Sequence, residues 1–189
     1  MTREEAYDIL LSLIKNENLI RHHLACEAAM KALYRRLNPN AVSQDEEKWG
    51  IVGLLHDADY ELSKNHPSRH TLILEEKIGG KIPADIMYAI KSHNFQNNHV
   101  EPQTFMDWSI YCVDELTGLI VAAALVHPDK KLASLDVNFI MNRFNETSFA
   151  KGANRDQIKF CEEKLGIALD EFMQITLSAM QAIAPELGL

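Results

Sequence analysis

An all-α helical bundle is the fold this sequence predicts, and three observations predict it. Apolar residues recur at helical spacing through most of the chain, whereas two-residue alternation is scarce. The 8 glycines and 6 prolines fall mostly at the joints between such stretches. Hydrophobic residues make up 47% and charged residues 24% of the 189 positions, the balance of a well-cored globular chain rather than a disordered one. In order, a first helix is expected from about Arg3 to Lys15 and a second from about Asn18 to Leu37, stopped by the NPN at 38–40. A third begins near Asp45 and Glu46, acids suited to a helix N-terminus, and runs through Trp49 to Leu55. Pro67 opens a fourth that Gly79 and Gly80 end, and Pro83 opens a fifth reaching about His93. A sixth covers about Gln103 to Val126 and is closed by the HPD at 127–129. Three more follow, at about Lys130 to Phe144, Asn154 to Leu165 and Leu169 to Ile183. Residues 1–127 form the expected core, with 128–189 as a C-terminal helical extension packed on it.

A formal net charge of −8 argues against a protein that coats nucleic acid, but not against a phosphate compound held at one site. The three cysteines, Cys26, Cys112 and Cys161, are odd in number, far apart and without a CxxC pair, so reduced thiols are expected. The N-terminal MTREEAYDIL carries charge where a signal peptide needs an apolar core. The longest uncharged apolar run, Leu116 to Val126, falls short of the ~20 residues of a membrane span. These features predict a cytoplasmic protein with no membrane partner.

The segment GIVGLLHDADYE (50–61) drives apolar residues toward a core and ends them in His56, Asp57, Asp59 and Glu61. Burying such charge without a partner costs several kcal/mol, so either the end is at the surface or something positive receives it. Other helices supply similar residues. At about 100° per residue, His22 lines up with Cys26, Ala29, Leu33 and Leu37 and points inward. His23 lies nearer Glu27, Lys31 and Arg35 and is expected to face solvent. Asp114 shares a row with Ile110, Tyr111, Gly118, Val121 and Leu125, and Gly118 leaves space beside it. His93 follows Ile86, Ala89 and Ile90 on an inner face, while His66 and His70, four apart, can face one way.

A single inward histidine is ordinarily a core imidazole bonded to a carbonyl. Several ligand types from separate helices point instead to a metal centre, because bundles bind divalent cations with His and Asp/Glu on facing helices. Adjacent His56 and Asp57 diverge by about 100° within a helix, so they share an ion most easily at a helix end.

The order His22, His56-Asp57, Asp114 resembles the H…HD…D pattern of the HD-domain superfamily of metal-dependent phosphohydrolases. The flanking NLIRH (18–22), GLLHDADYE (53–61), IKSHN (90–94) and VDELTGL (113–119) are similar too. FAKGANR (149–155) and the terminal LGL resemble an uncharacterised bacterial subgroup of HD hydrolases. The resemblance implies an all-α HD-domain bundle in which His22, His56, Asp57 and Asp114 hold one metal. Two further histidines hold a second metal where one is present, with His70 and His93 as the best candidates and His66 competing with His70. The chain reads HDAD rather than HDIG and lacks a GYP signature, which gives no support for cyclic di-GMP hydrolysis.

A His/Asp site with open positions suits Mn²⁺, Fe²⁺, Co²⁺, Ni²⁺ or Mg²⁺, one or two ions, better than closed structural zinc. The expected reaction is hydrolysis of a phosphomonoester or phosphodiester of a nucleotide or other small phosphorylated metabolite by metal-activated water. Asp57 is the expected central ligand, and Asp59, with Glu61, the expected proton-handling or supporting acid. Arg21, Lys91 and Arg155 are the weaker candidates for substrate phosphate, each with a surface charge as the alternative. Phe105, Trp108 and Tyr111 are read as core aromatics, with a nucleobase pocket as the alternative. Two other readings stay open: a metal-stabilised binding or regulatory module, and an HD-type di-iron oxygenase.

Overall fold

Helix termini are set by local capping, and the computed structural model describes them for residues 1–39 and 43–189. The Asn40 end of the expected NPN stop lies outside those residues; Asn38 itself is the C-cap residue of the second helix. Thr2 and Glu5 form a reciprocal capping box on α1 (Arg3–Leu13), and Asn16 caps α2 (Glu17–Leu37). Next come α3 (Ser43–Leu55), the single turn α4 (Tyr60–Ser63), α5 (Leu72–Ile78), α6 (Ala84–His93) and the short α7 (Phe95–Asn98). Thr104 and Asp107 box the start of α8 (Phe105–Val126). Asp136 caps α9 (Val137–Asn145) and Asn154 caps α10 (Arg155–Leu165), which Gly166 ends in a left-handed conformation. The chain closes with α11 (Leu169–Ala182) and α12 (Ala184–Leu187). No strand occurs among the described residues, and the fold is all-α.

Two expected helices are divided. The one opened by Pro67 is a 3₁₀ turn (Pro67–Arg69) followed by α5, with Thr71 between them at φ +71°. The backbone N–H of Leu74 donates to Asp59 Oδ2 at 3.0 Å, so a carboxylate from upstream starts α5 where it does. The one expected from Lys130 is a 3₁₀ turn (Leu132–Ser134) and then α9, because the Asp136 side chain accepts the N–H of Phe139 at 2.7 Å.

The long apolar helix α8 is the centre of the bundle, packed by α2, α6, α10 and α11. Ile110, Val113, Leu116, Leu119 and Ile120 along it are fully buried. By length and composition α8 could cross a membrane, but 61% of its apolar window is buried inside the bundle.

Helix α3 lies against α2 at Gly53, and that contact corrects the expectation for His23. A Cβ at Gly53 would stand 2.6 Å from the carbonyl carbon and oxygen of Cys26 and 2.7 Å from Glu27 N. Only a glycine permits the two backbones to approach so closely. The polar side of α2 is therefore covered as well as the apolar one: His23 is 0% exposed, and Glu27 is buried under Arg3 and Lys31, at 2.6 and 3.1 Å. Gly53→Ala is expected to destabilise the fold by about 1–3 kcal/mol, since the clash is with backbone. Chemical denaturation measures it, and an unchanged midpoint would exclude the close approach.

Candidate metal centre

Six of the predicted ligands meet in one region, in two groups. His22 on α2, His56 just after α3 and Asp114 on α8 form the first: His22 Nε2 is 3.2 Å from His56 Nε2 and 3.0 Å from Asp114 Oδ1. His56 Nε2 is 3.4 Å from the same oxygen. Asp57, His70 and His93 form the second, with Asp57 Oδ1 at 2.9 Å from His70 Nε2 and 3.1 Å from His93 Nε2. The two imidazole nitrogens are 3.0 Å apart. Asp57 Oδ1 is 3.9 Å from His56 Nε2, so it stands between the groups but nearer the second than the motif implied. His56 and Asp57 occupy the turn after α3, where the helix has opened and neighbours can splay.

The outer ring atoms show why these groups are short of positive charge. His56 Nδ1 is 2.8 Å from Gly53 O and His93 Nδ1 is 2.5 Å from Ile90 O. A carbonyl only accepts, so both Nδ1 atoms carry the proton and donate. His70 Nδ1 donates to Asp59 Oδ1 at 2.6 Å. Thr117 Oγ1 donates to Asp114 O at 2.8 Å and thereby accepts from His22 Nδ1 at 3.2 Å. All four Nε2 atoms thus face one another and carboxylate oxygens, in positions that a proton or a cation can occupy. Bond lengths near 2.1 Å give ligand–ligand edges of about 3.0 Å in an octahedron and about 3.4 Å in a tetrahedron, so each trio has the dimensions of one face of a coordination shell. The residues fit divalent cations, and the second ring nitrogens are fixed in the manner usual for metal-bound histidine.

The electrostatics agree. Burial opposes charge on His56, but Asp57, Cys26 and Asp114 outweigh it and lift its pKa to about 9. Burial likewise opposes charge on His70, while hydrogen bonds to Asp57 and Asp59 lift it to about 10. Burial disfavours ionised Asp57, yet the His56 imidazole and the bonds from His70 and His93 hold it well below the usual carboxylate range. The cluster stabilises positive charge at its centre.

The remaining predicted residues divide cleanly. Asp59 is 0% exposed with both oxygens engaged, by His70 and by the Leu74 N–H, so it orients His70 and is not among the residues lining the cleft. Glu61 Oε2 accepts the N–H of Lys15 at 2.7 Å, away from the cluster. His66 is exposed at the start of the 3₁₀ turn, which leaves His70 as the ligand type. Lys91 is paired with Glu75 at 2.9 Å, and Arg21 lies beside Glu17 and Gly188. Arg155 donates to the carbonyls of Phe144, Phe149, Ala150 and Ala153, clasping the loop before α10. None of these three cations lines the cleft over the ligands. Tyr111 is buried, and Trp108 packs on it and on Phe160 as core, while Phe105 is exposed.

A cleft of ≈ 380 Å³ opens over Asp57, His70, His93 and Asp114, lined also by Tyr60, Lys64, Gln96, Asn97, Glu115 and Gln157. Its cation is Lys64, which sequence reading missed because nothing in its neighbours distinguishes it. A second opening, ≈ 360 Å³, reaches His22 and Asp114 past Gly118, Ala150, Gly152 and Ala153. A Cβ at Gly118 would meet nothing within 4 Å, the open space expected there. Burial, with Asp114 next, raises Glu115 to about 7 between the two openings. Thr71, fully buried, holds φ +71°, an uncommon conformation for a β-branched residue, directly after ligand-type His70.

Asp59→Asn is expected to weaken metal binding at the Asp57/His70/His93 group by about 10–100-fold while sparing the other. Equilibrium dialysis with Mn²⁺ measures it, and equal loss at both groups would reject the assignment of Asp59 to His70.

Fold and site together define an all-α protein with buried His/Asp/Cys clusters able to hold metal ions. Comparison with protein-family models, with curated proteins and with solved structures finds no match to this chain.

Proposed function

We propose that this chain is a metal-dependent phosphohydrolase of the HD superfamily, acting on a phosphomonoester or phosphodiester of a small metabolite. One observation carries the reading: His22, His56 and Asp114 of the H…HD…D order bring their ligand atoms to 3.0–3.4 Å of one another, and Asp57 Oδ1 stands 3.9 Å from His56 Nε2. His22, His56 and Asp114 would hold one cation and Asp57, His70 and His93 another. A divalent cation in such a place supplies Lewis acidity, lowering the pKa of water and neutralising phosphoryl-oxygen charge.

The chain's own residues do the rest. Asp57 Oδ1, between His56 and the His70/His93 pair, ties the two groups together at the floor of the cleft. Lys64 is the one lysine or arginine among the cleft-lining residues and offers a phosphate anion its ammonium group. Gln157 is held by its Nε2 donating to Tyr111 O at 2.7 Å and forms part of the cleft wall. A cleft of ≈ 380 Å³ suits a small molecule rather than a polymer.

The test is phosphate release from a panel of monoesters and diesters by chain reconstituted with Mn²⁺, Co²⁺, Ni²⁺ or Mg²⁺. Metal-stimulated release is expected, and a silent panel under all four ions counts against the reading. Each group being two histidines with one carboxylate also favours a second reading, oxidation by a di-iron pair. Dioxygen consumption by the iron-loaded chain, with no phosphate release, would select it.

A further inference from the structure

Cys26 sits one helical turn beyond His22 on α2, the i, i+4 relation that lets two side chains reach one ion. Its Sγ is 3.8 Å from His22 Nε2 and 3.4 Å from Thr117 Oγ1, and the residue is fully buried. The ligand atoms of His22, Cys26, His56 and Asp114 all lie within 4.8 Å of one another. With metal–nitrogen and metal–sulfur bonds near 2.1 and 2.3 Å, a tetrahedral site has a nitrogen–sulfur edge of about 3.6 Å. The sulfur is also 4.0 Å from His22 Nδ1, beside the ring rather than in line with the Nε2 lone pair, so ligation requires the Cys26 or His22 side chain to turn.

We propose that Cys26 is the fourth ligand of the first cation, closing a tetrahedral His₂AspCys site, and that the Asp57/His70/His93 group alone keeps open positions toward the cleft. The proposal rests on the reading that these clusters bind cations. Charge matching supports it: one carboxylate and one thiolate balance a divalent ion where net charge is costly to bury. The main chain that carries the sulfur is also held in place, because Gly53 brings α3 onto the Cys26 backbone. A thiolate changes the class of ion. Zn²⁺, Co²⁺ and Fe²⁺ accept sulfur in four-coordinate sites, whereas Mg²⁺ demands six hard oxygen-rich positions. The two sites would therefore differ, the first soft and tightly held, the second exchangeable.

Cobalt reports on this directly. Metal-free full-length chain is titrated with Co²⁺ and followed by absorption, with bound metal counted by dialysis. The first equivalent is expected to give a sulfur-to-cobalt charge-transfer band in the near ultraviolet and strong four-coordinate visible bands. Cys26→Ser should lose the charge-transfer band and weaken the first site by more than about tenfold, with the second equivalent unchanged. Cys26→Ala guards against a serine oxygen ligating in place of sulfur. Cys112→Ser, away from the cluster, should leave the band intact. Circular dichroism shows whether each variant keeps the fold. Cobalt binding at the same stoichiometry without a charge-transfer band would overturn the proposal and leave the metal reading standing, with Cys26 a mere donor to Thr117. Failure of the wild-type chain to retain Co²⁺, Zn²⁺ or Mn²⁺ would overturn both.

Discussion

Asp57→Ala is expected to lower metal-dependent phosphate release by more than about 10²-fold with the fold retained. Loss of a group that merely orients a metal ligand costs 10–100-fold, and Asp57 is itself ligand-type. Its Oδ1 supplies the only carboxylate of the second group and lies 3.9 Å from the first. Without it, His70 and His93 present two Nε2 atoms 3.0 Å apart and no negative charge to draw a cation to them. The fold should survive because Leu54, Leu55 and Ala58 around it remain buried, and Asp57 lies at the cleft floor rather than within the apolar core. Asp57→Asn, nearly isosteric, should lose as much, which separates charge from shape. Wild-type turnover in either folded variant would reject the functional assignment.

Removal of metal should lower thermal stability by an amount that scales with occupancy. A cation that binds only the folded chain, present at about 1,000 times its dissociation constant, contributes about 4 kcal/mol. For a chain of this size that corresponds to a Tm shift of roughly 8–16 °C. The source is local. Four imidazole Nε2 atoms and two carboxylates, from α2, α6, α8 and the turns between α3 and α5, face inward, and a cation among them would join all of these elements. Differential scanning with and without chelator measures the shift, and re-addition of Mn²⁺ or Zn²⁺ should restore it. Asp114→Ala should reduce the restored increment. A Tm indifferent to chelation and to millimolar metal would show that the clusters do not bind cations in solution.

Much of the site was legible because it obeys helical phase. His22 and Asp114 stand in rows of apolar residues, so their inward direction follows from about 100° per residue, and His93 follows Ile86, Ala89 and Ile90 in the same way. The i, i+4 relation of Cys26 to His22 was also visible, though nothing nearby in sequence shows that it shares their centre. His23 was misread for a definable reason. Phase gives the direction of a side chain about its own helix, but not how closely another helix covers it. Gly53 on α3 settles that for His23. Asp59 reads from sequence as a proton-handling or supporting acid and Arg155 as a candidate for substrate phosphate, and neither reading names a partner. Their partners, the Leu74 N–H and a set of loop carbonyls, exist once the turns around them have formed.

By itself the sequence indicated the helical class, the long apolar helix and the ligand types His22, His56, Asp57, His93 and Asp114, since periodicity and residue chemistry are local properties; the choice of His70 over His66 comes from the structure. Tertiary structure alone decided how the six ligand types divide between two groups and that Cys26 and Thr117 stand beside the first. It also decided which cation borders the cleft and that Gln157 on α10 forms part of its wall. Those outcomes depend on distances between helices far apart in the chain, which close packing sets and no single helix encodes.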